Sequence, residues 1–322
     1  MSVGILEQFI VRTVERAHLA LMNVDNYTIA FIGLGEAASA IISGWGNNRN
    51  KQIKAFDIKL KKESREEIIS RGTELNIVVN LSSEEVIKDA DLIFSTVSAD
   101  QALSVAREVS SYIEKESYFF DLNSCAPSSK QKASQIIESV GGYYVDVAVM
   151  APVHPQKHMV PLIISGDKSF EASLILEGLP MNSRVIDGPV GRASSIKMVR
   201  SIMVKGLEAL TAECTLAAVE ADVLDEVFNS LSDGHPHFDI FKHSIYNLER
   251  SLTHGHRRAE ELKEVSKMLE DLKLTNRMSK ATAIWQEKLG SLKRENSLSE
   301  IRDNFHSFAK RLSEDLRDIK DQ

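Results

Sequence analysis

From Thr28 onward, short apolar runs alternate with longer segments whose apolar residues recur at helical spacing. The runs are "TIAFIG", "IKAFDI", "NIVVN", "DLIFSTV", "SYFFDLN" and "YYVDVAVM"; the segments between them include "AASAIISGW", "SREEIISRG", "SEEVIKDA", "ADQALSVAREVSSYI" and "SSKQKASQIIESVG". Apolar strands separated by amphipathic helices imply βαβ units, hence a mostly parallel, doubly wound sheet covered on both faces. "VPLIISGD" and "NSRVIDG" predict two further strands flanking a short helix, and the alternation ends near Gly188. Beyond it only helical spacing remains, with breaks expected at "SDGHPHFD", at "THGH" and near Asn276. An uninterrupted pattern from Arg192 to Leu231 predicts one long helix, and "RRAEELKEVSKMLEDLKL" and "SEIRDNFHSFAKRLSEDLRDIKDQ" each keep an apolar stripe. The expected fold is an α/β domain over residues 1–188 with an N-terminal helical extension, followed by an all-α domain over 189–322.

Length agrees with this division, because 322 residues exceed what one core usually serves. Hydrophobic residues at 43% and charged residues at 26% are enough for two cores. A net charge of -7 supplies no electrostatic footprint for nucleic acid, so the expected partner is a small molecule. Cys125 and Cys214 stand far apart, outside any zinc-like cluster, which fits a reducing compartment and no metal. "ILEQFIVRTVERAHLALM" is interrupted by Glu7, Arg12, Glu15 and Arg16, so it reads as an amphipathic helix rather than a leader or a membrane span. The expected location is the cytoplasm.

The first candidate chemistry lies where the first strand stops. "GLGEAA" has the G-x-G-x-x-A form: Gly33 permits a tight turn, Gly35 lets the backbone approach a pyrophosphate, and Ala38 allows close helix–strand packing. Phosphates would sit at the positive end of the helix beginning near Glu36, so Gly33, Leu34, Gly35, Glu36 and Ala37 are candidate cofactor-binding residues. Asp57, closing the second strand, is placed to accept hydrogen bonds from a ribose, which favours NAD over NADP; Lys59 follows it and would favour NADP. Ser95, Thr96 and Val97 end the fourth strand at the sheet edge, where a dinucleotide would lie.

On the long helix, Lys197, Ser201, Lys205 and Glu208 fall on one side with Arg200 at its margin, while Met198, Val199, Ile202, Met203, Leu207 and Leu210 take the other. Such a stripe fits two readings, the wet face of an amphipathic helix or a set of working groups. A lysine desolvated beside a second cation loses affinity for its proton, and Arg200 could be that cation.

The order of "FIGLGEAA", "FFDLNSCAPSSK", "YVDVAVMAP" and "GPVGRASSIKMV" over residues 28–210 resembles the β-hydroxyacid dehydrogenase and 6-phosphogluconate dehydrogenase superfamily. The rest of the chain looks like the helical domain of a less characterised branch. The resemblance implies a Rossmann domain, a helical domain opening with the helix that carries the catalytic lysine, and hydride transfer between NAD(P) and a small hydroxy acid or its carbonyl form. It implies Lys197 as general acid/base and Asn123 and Ser124 as substrate contacts. Where the family has P-V-S-G-G this chain has Ala148, Val149, Met150, Ala151 and Pro152, and where the family has asparagine after the lysine it has Ser201. Arg200, Ser201 and Lys205 are therefore candidate contacts for an anionic substrate group.

Several features stay outside this scheme. His154 and His158 could face the substrate or be merely exposed; His235, His237, His254 and His256 lack partners at metal-site spacing. Asp146 could position the nicotinamide region or bond backbone groups. "HGHRR" near a helix start would place cations where the dipole disfavours them and hints at an anion. Exposed apolar helix faces suggest a homodimer. Alternative activities are imine reduction and non-catalytic sensing of a dinucleotide.

Overall fold

The computed structural model describes residues 26–46, 52–61, 64–234, 239–292 and 304–318. The proposed N-terminal helix, His235 and His237 lie outside these residues. The chain divides into two compact units, Met1–Lys197 and Met198–Gln322.

In the first unit the elements follow in the order β1 (Ile29–Ile32), α1 (Glu36–Trp45), β2 (Ile53–Phe56), α2 (Arg65–Glu74), β3 (Val78–Val79), α3 (Ser83–Ile87), β4 (Leu92–Ser95), α4 (Ala102–Val109), β5 (Tyr118–Asp121), α5 (Pro127–Ser139), β6 (Tyr143–Val149), β7 (Leu162–Ser165), α6 (Ser169–Gly178) and β8 (Ser183–Val185). They build one eight-stranded sheet in the order β3-β2-β1-β4-β5-β6-β7-β8. All pairings are parallel except β6 with β7, so the expected Rossmann sheet is present with one antiparallel step.

The register explains why the centre of this sheet is buried on both faces. Phe31, Phe94 and Phe120 are neighbours across β1, β4 and β5, with ring centroids 5.1 and 4.8 Å apart. One residue further on, where side chains point to the opposite face, Ser95, Asp121, Asp146 and Ser165 are neighbours across β4 to β7. All four are fully buried. An aromatic row on one face is thus followed by a polar row on the other, at the carboxyl edge of the parallel strands.

Helix α7 (Arg192–Glu220) carries the chain across the division between the units. The second unit continues with α8 (Leu224–Gly234), α9 (Ile240–Asp271), α10 (Arg277–Ser291) and α11 (Phe305–Asp318). The single helix expected to Leu231 is two helices. Asp222 takes a positive φ of 58° at the break, a conformation that a short polar side chain tolerates and that sequence periodicity does not reveal. The break expected at "THGH" is absent, because α9 runs through it. Gly255 instead faces Gly290 of α10: a Cβ on Gly255 would stand 2.2 Å from the Gln286 carbonyl oxygen and 2.6 Å from Gly290 Cα. Glycine is there for close helix approach, and "HGHRR" lies inside a helix rather than at its start. The helical core gathers Leu216, Phe228, Leu248, Leu289, Phe308 and Leu312.

Of the two readings of the polar stripe on α7, the wet face does not hold for Ser201, Lys205 and Glu208. Ser201, Lys205 and Glu208 are 7%, 6% and 2% exposed, whereas Val199, Met203, Leu207 and Leu210 are 55%, 66%, 48% and 59% exposed. Burial of the charged side is possible because each group is paired. Lys205 Nζ binds Glu261 at 2.7 Å and the Ser201 hydroxyl at 3.2 Å. Glu208 accepts from Arg258 and, at 3.2 Å, from Gln286. Burial pushes Glu208 above the usual carboxylate range and Arg258 below its usual value, and the attraction between the two opposes both shifts.

Candidate dinucleotide and lysine site

The glycine turn joins β1 to α1, and its two glycines do different work. Gly33 has φ +92°, and a Cβ there would meet the Thr96 carbonyl oxygen at 2.7 Å, so Gly33 is required by the fold. Gly35 has φ -85°, and nothing lies within 4 Å of a Cβ built on it. An open space thus fronts the N-terminus of α1, where backbone amides and the helix dipole favour an anion. This cradle fits a pyrophosphate. Glu36 is exposed, Ala37 half-buried and Ala38 buried against the strand.

Asp57, 8% exposed, holds the turn: Oδ2 accepts from Leu34 N and Oδ1 from Lys59 N, each at 2.9 Å. The Lys59 side chain is exposed. Arg71 of α2 donates to the Leu34 carbonyl oxygen at 2.6 Å and pairs with Glu67 at 2.5 Å. Arg71 drew no attention in the sequence. Its contact joins residues far apart in the chain, and no local pattern marks it.

The ends of β4 and β5 are tied to the turn and to each other. Thr96 Oγ1 donates to the Gly33 carbonyl oxygen at 2.7 Å; Val97 N donates to Asn123 Oδ1 at 2.7 Å; Asn123 Nδ2 donates to Ser95 Oγ at 2.8 Å. Asn123, only 4% exposed, therefore anchors strand ends. Ser124 is half-buried and faces the lysine: Lys197 Nζ donates to its Oγ at 2.5 Å.

Lys197 owes its position to the start of α7. Asp146 accepts from Gly191 N at 3.0 Å, Ser194 N at 3.1 Å and the Ser194 hydroxyl at 2.6 Å, while Ser165 Oγ accepts from Ala193 N at 3.0 Å. Strand carboxylate and hydroxyl thus satisfy the first-turn amides that a helix cannot satisfy itself. Of the two readings of Asp146, the geometry gives the backbone-bonding one.

Arg200 is exposed, and Ser201 and Lys205 are buried in the helical unit, with Lys205 committed to Glu261. Cys125 is packed at 1% exposure. His154 is exposed, whereas His158 lies over Gly44 of α1, and desolvation together with Lys157 lowers its pKa. His256 pairs with Glu287 at 2.7 Å. Among the described residues no group of three or more His, Cys, Asp or Glu is placed to hold a metal ion, and no helix is long and apolar enough to cross a membrane.

A doubly wound sheet with a glycine turn and an open helix N-terminus, and with an aspartate closing the second strand, is the arrangement of a dinucleotide-binding domain. Residues 28–172 match the NAD binding domain of 6-phosphogluconate dehydrogenase, and residues 218–289 match a domain of unknown function, DUF1932. The chain belongs to the β-hydroxyacid dehydrogenase and 6-phosphogluconate dehydrogenase-like superfamily, in a branch with this divergent helical domain. A conserved hypothetical protein from Sinorhizobium meliloti 1021 is 32% identical, with 88% of this chain and 96% of that chain covered and a TM-score of 0.70. An uncharacterized 28.5 kDa protein from Methanothermus fervidus is 28% identical over 258 residues, 79% of this chain and 95% of that one. The conserved protein MTH1747, of unknown function and described as structurally similar to 3-hydroxyacid dehydrogenases, is 26% identical, with coverage of 88% and 99% and a TM-score of 0.65.

Proposed function

We propose that the protein is an NAD(P)-dependent oxidoreductase that interconverts a small anionic hydroxy acid and its carbonyl form, with Lys197 as the proton-moving group. The observation that carries this reading is the 2.5 Å contact of Lys197 Nζ with Ser124 Oγ, in the same unit as the open cradle at Gly35. Nicotinamide, when bound, supplies the hydride acceptor or donor. Lys197, as the neutral amine, takes the hydroxyl proton while hydride leaves the carbinol carbon, and as the ammonium it returns a proton to the developing alkoxide in reduction. Ser124 orients the ammonium and can bond the same hydroxyl. Asn123 keeps the Ser124 loop in place through Ser95 and Val97. Asp57 supports NAD, because a carboxylate at that position repels a 2′-phosphate.

Arg200 supports the anionic substrate: it is an exposed cation three residues after Lys197, and guanidinium binds carboxylate, phosphate or sulfonate in a bidentate fork. The test is a panel of short hydroxy acids and phosphorylated or sulfonated analogues, each with NAD+ and with NADP+, followed by nicotinamide absorbance. Turnover of an anionic member is expected, and Arg200→Ala should raise its KM by roughly 10- to 100-fold, the scale of one charged hydrogen bond of about 1.5–3 kcal/mol. A neutral analogue should lose little. Dinucleotide binding without turnover across the panel would instead indicate a sensor.

A homodimer belongs to the same proposal. Val199, Met203, Leu207 and Leu210 form one exposed apolar row along α7, the kind of surface that a soluble protein normally covers. Met203→Glu should convert the wild-type dimer to monomer in sedimentation at micromolar concentration while dinucleotide binding persists. A wild-type monomer, or an unchanged mass in the variant, rejects this surface.

A further inference from the structure

Against the polar row stands a buried lysine, Lys130, the last residue of "FFDLNSCAPSSK". Lys130 stands on α5 in line with Ala133 and Ile137, on the buried stripe of the helix, and is fully buried. Its ammonium donates to the Asp121 carbonyl oxygen at 2.5 Å and lies 3.0 Å from Asp121 Oδ1 and 3.5 Å from Asp146 Oδ1. Burial lowers its affinity for the proton, but the neighbouring Asp121, Cys125 and Asp146 outweigh that, so its pKa lies above the usual lysine range.

Each carboxylate organises one half of the site. Asp121 accepts from Asn123 N at 2.9 Å and from the Tyr144 hydroxyl at 2.6 Å, so it shapes the loop that presents Ser124. Asp146 holds the first turn of α7, which presents Lys197. The two aspartates are direct neighbours across β5 and β6. Both are completely buried, and like charges so placed repel strongly unless a cation stands between them. One ammonium serves two carboxylates; the amides at the α7 N-terminus offset the remainder at Asp146.

We propose that Lys130 is a positioning residue, whose bridge between Asp121 and Asp146 couples the Ser124 loop to the first turn of α7 and thereby holds Lys197 against Ser124. The inference rests on the reading of Lys197 as the proton-moving group, yet it can be tested on Lys197 itself without a substrate. Removal of the ammonium takes away its bonds to Asp121 and Asp146 and so unties the loop from the helix; where both carboxylates remain, their repulsion adds to the separation.

The experiment is competitive acetylation of the full-length protein across pH, with each lysine quantified by mass spectrometry, in wild type and Lys130→Met. A second variant, Lys130→Met with Asp121→Asn, keeps the charge sum unchanged in case the first does not fold. In a folded variant the acetylation profile of Lys197 should be displaced several-fold, while the exposed Lys115 and Lys132 keep their wild-type profiles. A Lys197 profile that coincides with wild type in either folded variant overturns the proposal. If neither variant folds, Lys130 is a stability residue and the assignment likewise falls. A displaced Lys197 in a protein that turns over nothing would sink the proposed reaction while leaving the coupling intact.

Discussion

Lys197→Met is expected to lower single-turnover hydride transfer by about 10² to 10⁴, the scale of a positioned proton-transfer group, with dinucleotide affinity nearly unchanged. The asymmetry follows from the geometry. The amine's partner is Ser124, at the end of β5, whereas the cradle for phosphates is built by Gly33, Leu34 and Gly35 at the end of β1. Methionine keeps the length of the side chain and removes only the group that gives and takes a proton, so packing along α7 should survive. Loss of turnover with preserved binding assigns the proton to Lys197. A wild-type hydride-transfer rate in the variant would reduce Lys197 to a structural partner of Ser124.

Gly35→Val should abolish measurable NAD(H) binding while leaving the melting temperature close to wild type. Valine fits the folded chain, since φ at Gly35 is -85° and no atom lies within 4 Å of the new Cβ. On the proposed reading, the space it fills is the one a pyrophosphate would need in order to reach the amides at the α1 N-terminus. Loss of two such charge-assisted hydrogen bonds, each about 1.5–3 kcal/mol, lowers affinity at least roughly a hundredfold. Gly33→Val is the informative contrast: its φ of +92° and the Thr96 carbonyl at 2.7 Å mean that this variant should lose the fold itself. Calorimetry that finds wild-type affinity in a folded Gly35→Val protein would remove the dinucleotide from this turn.

How much of this could be read from the chain depended on how local each feature is. The parallel sheet was legible because every strand of β1 to β6 is an apolar run bounded by helical spacing. The glycine turn was legible because it joins an apolar run to a helix within one βαβ unit; the same unit sets the place of Asp57, but not its bonds to Leu34 N and Lys59 N. Features that need register were not. Ser95, Asp121, Asp146 and Ser165 form a row only after four strands are aligned, and nothing in the runs themselves sets that alignment. Lys130 did leave a trace, a charged residue on an apolar stripe, of the kind that local periodicity treats as noise. On α7 the same periodicity separated the two sides but left open whether the polar one meets solvent, because Glu261, Arg258 and Gln286, which make Ser201, Lys205 and Glu208 buriable, come from helices much later in the chain.

The crossing of α9 and α10 has a consequence for how descendants of this chain can diverge. At Gly255 and Gly290 backbone meets backbone, so neither position can gain even a methyl group, and a change at one cannot be repaired by a change at the other. Glu208 and Arg258 behave oppositely: either alone strands a buried charge, whereas joint replacement by apolar residues of similar volume would be tolerated. Natural variation in this helical unit should therefore show two frozen glycines and one pair that drifts only together. Both marks would look like selection for a ligand, although the first records only how near two helices run and the second only how a charge was put away.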